Sequence, residues 1–277
     1  MYNAKRNKNV ERIFKYDSNR KLIHYENKID LNCFDVVDSK CIITLAGGLS
    51  LKNCDKNKYS ICINLSDPDC YYYSSKYYNK KFDFSITNSQ NVIHLYKPNS
   101  KLLNFGVSKN INYLIKNTKK KYDIIIVGGA RPERIELLNK LFDLNKYNIK
   151  VCGKNWPPKY NAVFVSGKEQ NIILNESKIY ISFSETVAGY KNVKVGIFEA
   201  ISSGCVAITN TSKIYKLFNK DEVIFSDWNN NFKNFIKTID ELLANKNLLD
   251  KYITLSQIKI NKYYWRNMIP EILTNIL

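Results

Sequence analysis

The sequence predicts an α/β protein built on parallel sheets, and three observations carry that expectation. Short apolar runs rich in Ile, Val and aromatic residues recur along the chain. They are continuous rather than alternating, the pattern of strands covered on both faces. Amphipathic stretches separate them. A Lys/Asn-rich segment, "VSKNINYLIKNTKKKYD" (107–123), precedes a fresh strand with a glycine turn, as at a junction between two domains.

In chain order, the expected strands are "CIITLA" (41–46), "ICINLS" (61–66), "FDFSIT" (82–87) and "NVIHL" (91–95) in the first half. "DIIIVGG" (123–129), "YNIKVCG" (147–153), "AVFVSG" (162–167), "IYISFS" (179–184), "CVAIT" (205–209) and "EVIFS" (222–226) follow in the second. "RPERIELLNKLFDL" (131–144) places apolar residues at 135, 137, 138, 141 and 142 with charges opposite, which predicts a helix. "NNNFKNFIKTIDELLANKNLLDKY" (229–252) is a second amphipathic stretch. "KVGIFEAISSGCVAIT" (194–209) reads as a helix, a glycine stop at Gly204 and a short buried strand, half of a parallel α/β unit. The expected organisation is an N-terminal α/β domain over 1–107, a linker over 108–121 and a second α/β domain over 122–262. A terminal helix over 263–277 is expected to dock back on the first domain. The first 30 residues are polar and weakly patterned.

Composition narrows the function classes. The longest apolar runs fall well short of the roughly 18 residues of a membrane span, and "MYNAKRNKNVERIF" lacks the apolar core of a secretory signal. Seven cysteines, at 33, 41, 54, 62, 70, 152 and 205, form no C-x-x-C pair. That argues against a disulfide framework or a zinc site and fits buried thiols in a reducing cytoplasm, the host's if the source is a virus. The net charge is +18, with only six arginines among 43 basic residues. A basic surface attracts polyanions, but an AT-rich coding bias toward Lys, Asn, Ile and Tyr yields the same composition. Both readings stand at this level.

Two stretches have the chemistry of a diphosphate site. In "DIIIVGGARPERIELLNKL" (123–141) a strand ends in Gly128 and Gly129 and a helix begins within about five residues. Glycines let a ligand approach the backbone, and a helix N-terminus favours anions. Arg131 and Arg134 flank the turn. Positive side chains oppose the dipole of a helix start, so their presence there points toward an anionic ligand. The stretch lacks a full G-x-G-x-x-G with its acidic partner, so a dinucleotide fingerprint is not expected. In the second stretch a helix beginning near Val195 or Gly196 offers free N–H groups beside a small residue, with Lys194 just before it. Glu199, about one turn in, suits two hydroxyl hydrogen bonds from a ribose; the plainer reading is compensation of the helix dipole.

These segments, in order, also resemble a known family. "VGGARPERIELLNKL", "VCGKNWP", "ILNESKIYISFS" and "VGIFEAISSGCVAIT" resemble the C-terminal domain of GT-B glycosyltransferases, most closely the spore-maturation-protein-like glycosyltransferases. Upstream, "NLSDPD", "FDFSITNS" and "LLNFGVSKN" resemble that family's N-domain strand ends and crossing segment, and "YYWRNMI" its terminal helix, so the resemblance spans roughly residues 40–275. It implies a GT-B-like fold of two Rossmann-like domains with parallel sheets facing a cleft, the N-terminal domain shortened by a strand–helix unit. It implies a sugar moved from a nucleotide-diphosphate donor to an acceptor hydroxyl, with no cofactor and no metal. The ribose falls to Glu199, and the diphosphate to the Gly128–Gly129 turn and the helix start at 195–197, neutralised by Arg131, Arg134 or Lys194. The base falls near Val165 to Gly167.

Three departures and three further residues complete the reading. The family's arginine three residues before the glutamate is Gly196 here; either Lys194 substitutes for it, or the phosphate has no side-chain cation at this point. Lys191 stands where the earlier glutamate of a retaining E-x7-E pair falls, and the nearest earlier carboxylate is Glu185, so the anomeric outcome stays open. The N-terminal domain is short. Asp67, in "DPD", is read as a general base at a strand end, against a metal-binding D-x-D or an ordinary Asp-Pro turn. His94 is a second catalytic candidate, and Trp156 is a stacking surface for a base or sugar, or a core lid. Lysines in the N-terminal half interleave with tyrosines in "YYYSSKYY" (71–78), which suits a polyanionic acceptor: modified DNA of an AT-rich virus, or an anionic surface glycan. A non-catalytic nucleotide-sugar-binding module and a nucleic-acid-binding protein without activity are the alternatives. The oligomeric state is left open.

Overall fold

A computed structural model of the 277-residue chain describes residues 13–16, 22–25, 41–45, 59–64, 84–87, 93, 99–186 and 190–268. The chain divides into two compact units, 1–105 with 186–190, and 106–185 with 191–277.

The first unit carries β1 (Ile13–Tyr16), β2 (Leu22–Tyr25), β3 (Cys41–Leu45), β4 (Tyr59–Asn64), β5 (Phe84–Thr87) and β6 (Ser100–Leu102) in one sheet of order β2-β1-β3-β4-β5-β6. Strands β3 to β6 run parallel, with Ile43 opposite Ile61 and Ile63 opposite Ile86. Strands β1 and β2 pair antiparallel, and β1 pairs antiparallel with β3, so these two strands add an antiparallel edge to the parallel ones. The run 91–95 was expected to be a strand. Ile93, its described residue, lies in a 3-10 turn, and the strand beside β5 is β6.

The second unit alternates strand and helix: β7 (Tyr122–Val127), α1 (Pro132–Asp143), β8 (Ile149–Cys152), α2 (Gly167–Asn175), β9 (Ser177–Ser182), α3 (Val195–Ser202), β10 (Val206–Thr209), β11 (Ile224–Phe225), α4 (Phe232–Ala244) and α5 (Lys246–Ile260). Its sheet, of order β11-β10-β9-β7-β8, is parallel throughout. Side chains alternate across it. Ile124, Ile126, Ile179, Ile181, Val206 and Ile208 join Leu137, Leu138 and Leu141 of α1 and Phe235, Ile239 and Leu242 of α4 in one core. Ile125, Tyr180 and Ala207 point to the opposite face, against α2 and α3. Burial on both faces is why these strands read as continuous apolar runs.

Two expected elements differ. The run 162–167 is no strand: Val163 makes a single parallel bridge to Cys152, and Gly167, at φ +58°, opens α2. The amphipathic stretch 229–252 is two helices. Asn245 breaks it with φ −114° and ψ 93°, and its side chain caps α5 by accepting from the Leu248 N–H at 3.0 Å. Cys152 and Cys205 are buried, free thiols, pushed up by burial to about 11 and about 12.

At the opposite end of the sheet from the candidate site, Lys120 enters the protein. Its Nζ donates to the carbonyls of Ser177 and Gly204, each at 2.8 Å, tying the entry of β9 to the turn before β10. Burial pulls its pKa below the usual lysine value, partly opposed by Cys205 and Asp250.

Candidate functional site

The turn after β7 is built by close backbone approach. Gly128 sits at φ +133°, and its carbonyl accepts the Trp156 indole N–H at 2.8 Å. Gly153, at the end of β8, sits at φ +145°, and a Cβ there would stand 1.9 Å from the Gly128 carbonyl oxygen. The Ala130 N–H donates to the Lys154 carbonyl at 2.9 Å, which ties the turns after β7 and β8 together. Trp156 is half-buried, its ring edge-on to Tyr160 with centroids 5.7 Å apart.

Arg131 is the N-cap of α1, with Pro132 as the first helical residue. The Arg134 side chain folds back along the helix start: Nη1 donates to the Gly129 carbonyl at 2.7 Å, and its guanidinium lies 5.4 Å from the Phe183 ring centroid. A Cβ on Gly128 would meet that Nη1 at 2.4 Å, so the glycine makes room for the arginine. Arg131 Nη1 donates to the Glu185 carbonyl at 3.3 Å. Both half-buried arginines are thus held at the C-terminal ends of β7 and β9, where open parallel sheets receive ligands.

On the second side of the site, α3 begins at Val195 with half-buried Lys194 as its N-cap. Glu199 is half-buried, and its Oε2 accepts from Gln170 Nε2 of α2 at 2.9 Å. Gln170 lies one turn after Gly167, so this hydrogen bond ties the carboxylate to the segment that holds Val165 and Gly167. Beside it, the exposed Phe164 ring has Lys154 Nζ 4.1 Å above its centroid. Gly196 lies against Tyr180 of β9: a Cβ at Gly196 would stand 2.1 Å from the phenolic oxygen. Burial, and next the Glu199 carboxylate, push the Tyr180 phenol above its usual value, while Arg134 opposes them.

The structure therefore brings Gly128, Gly129, Arg131, Arg134 and Trp156 into one group at the β7 and β8 ends. Lys194, Val195, Gly196 and Glu199 form a second at α3, joined through Gln170 to the loop of Val165 and Gly167. Asp67 and His94 lie outside the described residues. Among the described residues, no group of three or more His, Cys, Asp or Glu side chains is arranged to hold a metal, and no helix is long and apolar enough to cross a membrane. The sequence reading missed Gln170 and Tyr180. The one available signal was a lone tyrosine inside an isoleucine strand, followed 16 residues later by a glycine in a helix's first turn.

A family profile described as glycosyl transferase-like matches residues 131–273. No curated protein matches the sequence. Solved structures similar to this chain include an alpha-glucosyltransferase in complex with UDP and a 13-mer DNA containing a HMU base. It has TM-score 0.63 and 11% identity, over 82% of this chain and 73% of that one. A T4 phage BGT mutant in complex with UDP-glucose has TM-score 0.53 and 16% identity, over 88% and 82%. Sucrose-phosphate synthase from Thermosynechococcus elongatus has TM-score 0.56 and 12% identity, over 79% and 68%. At such identities the likeness is one of fold: α/β, with parallel sheets flanked by helices, in a GT-B-like two-Rossmann-domain architecture.

Proposed function

The chain belongs to the glycosyl transferase-like family, and from that premise we propose that it transfers a sugar from a nucleotide-diphosphate sugar to an acceptor hydroxyl. The finer resemblance, to spore-maturation-protein-like glycosyltransferases, is part of the same proposal. The observation that carries it is the pairing of Glu199 with Gln170 on one side of the strand ends and of Arg134 with the Gly129 carbonyl on the other. A carboxylate oriented by an amide accepts ribose hydroxyls. Arginines beside a glycine turn hold a diphosphate.

In this reading the bond between the anomeric carbon and the diphosphate oxygen breaks, and the acceptor oxygen takes its place. The nucleoside diphosphate leaves with the bonding pair, and its growing charge is met by Arg131, Arg134, Lys194 and the first-turn N–H groups of α3. The acceptor hydroxyl gives its proton to a base, the role assigned to Asp67 or His94. Val165 and Gly167 border the nucleobase, and Trp156 offers its ring face. Retention or inversion is not assigned.

The test is calorimetry with UDP, GDP, ADP, CDP and TDP, followed by transfer from the matching labelled sugar. One nucleoside diphosphate is expected to bind in the micromolar range or better. Failure of all five to bind sinks the proposal.

For the acceptor we propose a polyanion, supported by the net charge of +18. A DNA acceptor is its sharpest form, since two similar structures contain DNA. Labelled donor should glycosylate duplex DNA bearing hydroxymethylated pyrimidines, with a yield that falls as salt rises. Labelling confined to neutral glycans overturns it.

A further inference from the structure

The contact between Gly196 and Tyr180 has a ligand side. The phenolic oxygen lies flush against the second residue of α3, where a Cβ would be 2.1 Å from Oη and 3.0 Å from Cζ. Any other residue at 196 would have to displace the ring. The glycine thus gives the phenol a place directly under the first turn of the helix.

The surroundings of that phenol are polar in an otherwise apolar layer. Ser182 follows Tyr180 on the same face of β9, and Thr209 stands opposite Ser182 in register on β10. Both are at the C-terminal ends of their strands, 1% and 0% exposed, and neither Ser182 Oγ nor Thr209 Oγ1 has a hydrogen-bond partner among the described residues. The Ser182 side chain faces the phenol and lowers its pKa, against the larger effect of burial. Buried hydroxyls without partners are rare, and they call for a group that completes them. Arg134, over Phe183, is held beside the same strand end.

We propose that Tyr180 is a donor-binding residue: its O–H, with Ser182 and Thr209 beneath it, donates to a diphosphate oxygen of the nucleotide at the α3 start. This rests on the donor reading above and adds to it a neutral hydrogen-bond donor in the space left by the side chain that Gly196 lacks. Tyr180 therefore discriminates diphosphates from unphosphorylated nucleosides, whereas Glu199 recognises the ribose that both share.

Calorimetry on the full-length chain separates these roles. Tyr180→Phe keeps the ring and is expected to weaken nucleoside diphosphate binding about tenfold or more while leaving the affinity for the parent nucleoside unchanged. Tyr180→Ala weakens it similarly. Adding Gly196→Arg to Tyr180→Ala, with the space now open, should restore diphosphate affinity, whereas Gly196→Arg alone should not improve it. Tyr180→Phe with wild-type diphosphate affinity overturns the assignment, as does equal loss of nucleoside and diphosphate, which would make the phenol only a support for Glu199. A wild-type protein that binds none of the five nucleoside diphosphates refutes the donor reading itself, and this assignment with it.

Discussion

At Gly153 the backbone takes φ +145°, and a Cβ would stand 1.9 Å from the Gly128 carbonyl oxygen. Gly153→Ala must therefore open the turn that Trp156 closes, at a cost of about 2 kcal/mol or more in unfolding free energy by denaturant titration. A cost under about 0.5 kcal/mol, the usual range for a neutral surface change, would show that the approach is not needed. At Glu199 the expected effect is on binding rather than folding. Glu199→Ala removes a charge-assisted acceptor worth about 1.5–3 kcal/mol, so nucleoside diphosphate affinity should fall roughly 10- to 150-fold at unchanged unfolding midpoint. Unchanged affinity in the folded variant ends the ribose assignment. The two residues differ in how visible they were. Glu199 stood out because it is the lone carboxylate in an apolar helical turn, although compensation of the helix dipole would also account for it. Gly128 and Arg134 stood out because a strand, a glycine pair and a helix start are neighbours in sequence. Tyr180 and Gln170 were hidden, because their chemistry depends on partners in other elements: Gln170 meets Glu199 across 29 positions, and a tyrosine in a buried strand has the same pattern as an isoleucine.

Among the elements, the central strands β7, β9 and β10 were legible because they are buried on both faces and bounded by polar or glycine-containing segments. The failures have local causes. "AVFVSG" has the composition of a strand, but it ends in a glycine that opens α2 at φ +58°, and only Val163 bridges to β8. The stretch 229–252 keeps helical periodicity across Asn245, whose side chain prefers to cap α5. Lys120 is the element-level contact with the clearest consequence. Its ammonium joins the entries of β9 and β10 through two carbonyls, so Lys120→Met should cost about 1–3 kcal/mol. Burial lowers its folded pKa from 10.5. Between that lowered value and 10.5 the unfolded chain binds more protons, and stability rises with pH. The advantage of the wild-type protein over Lys120→Met should therefore grow toward alkaline pH in denaturant titrations. An advantage that shrinks on the same titration contradicts the buried ammonium.

For the whole molecule, the diphosphate is expected to be neutralised by arginines, Lys194 and helix N–H groups. Transfer should then persist in EDTA; abolition by chelation and recovery with manganese would move the chemistry to the Asp67–Asp69 segment. The indole bonded to Gly128 has a wider use. All three tryptophans, at 156, 228 and 265, belong to the second unit, and none lies in residues 1–105 or 186–190. Trp228 and Trp265 are buried, whereas Trp156 is half-exposed at the turn assigned to the donor. Tryptophan emission, excited beyond the tyrosine band, is consequently an optical channel for one unit alone, while far-ultraviolet dichroism records both. On heating with a bound nucleoside diphosphate, the emission midpoint should rise. A dichroism loss that precedes it, with emission constant, would be the melting of the tryptophan-free unit, seen without any label.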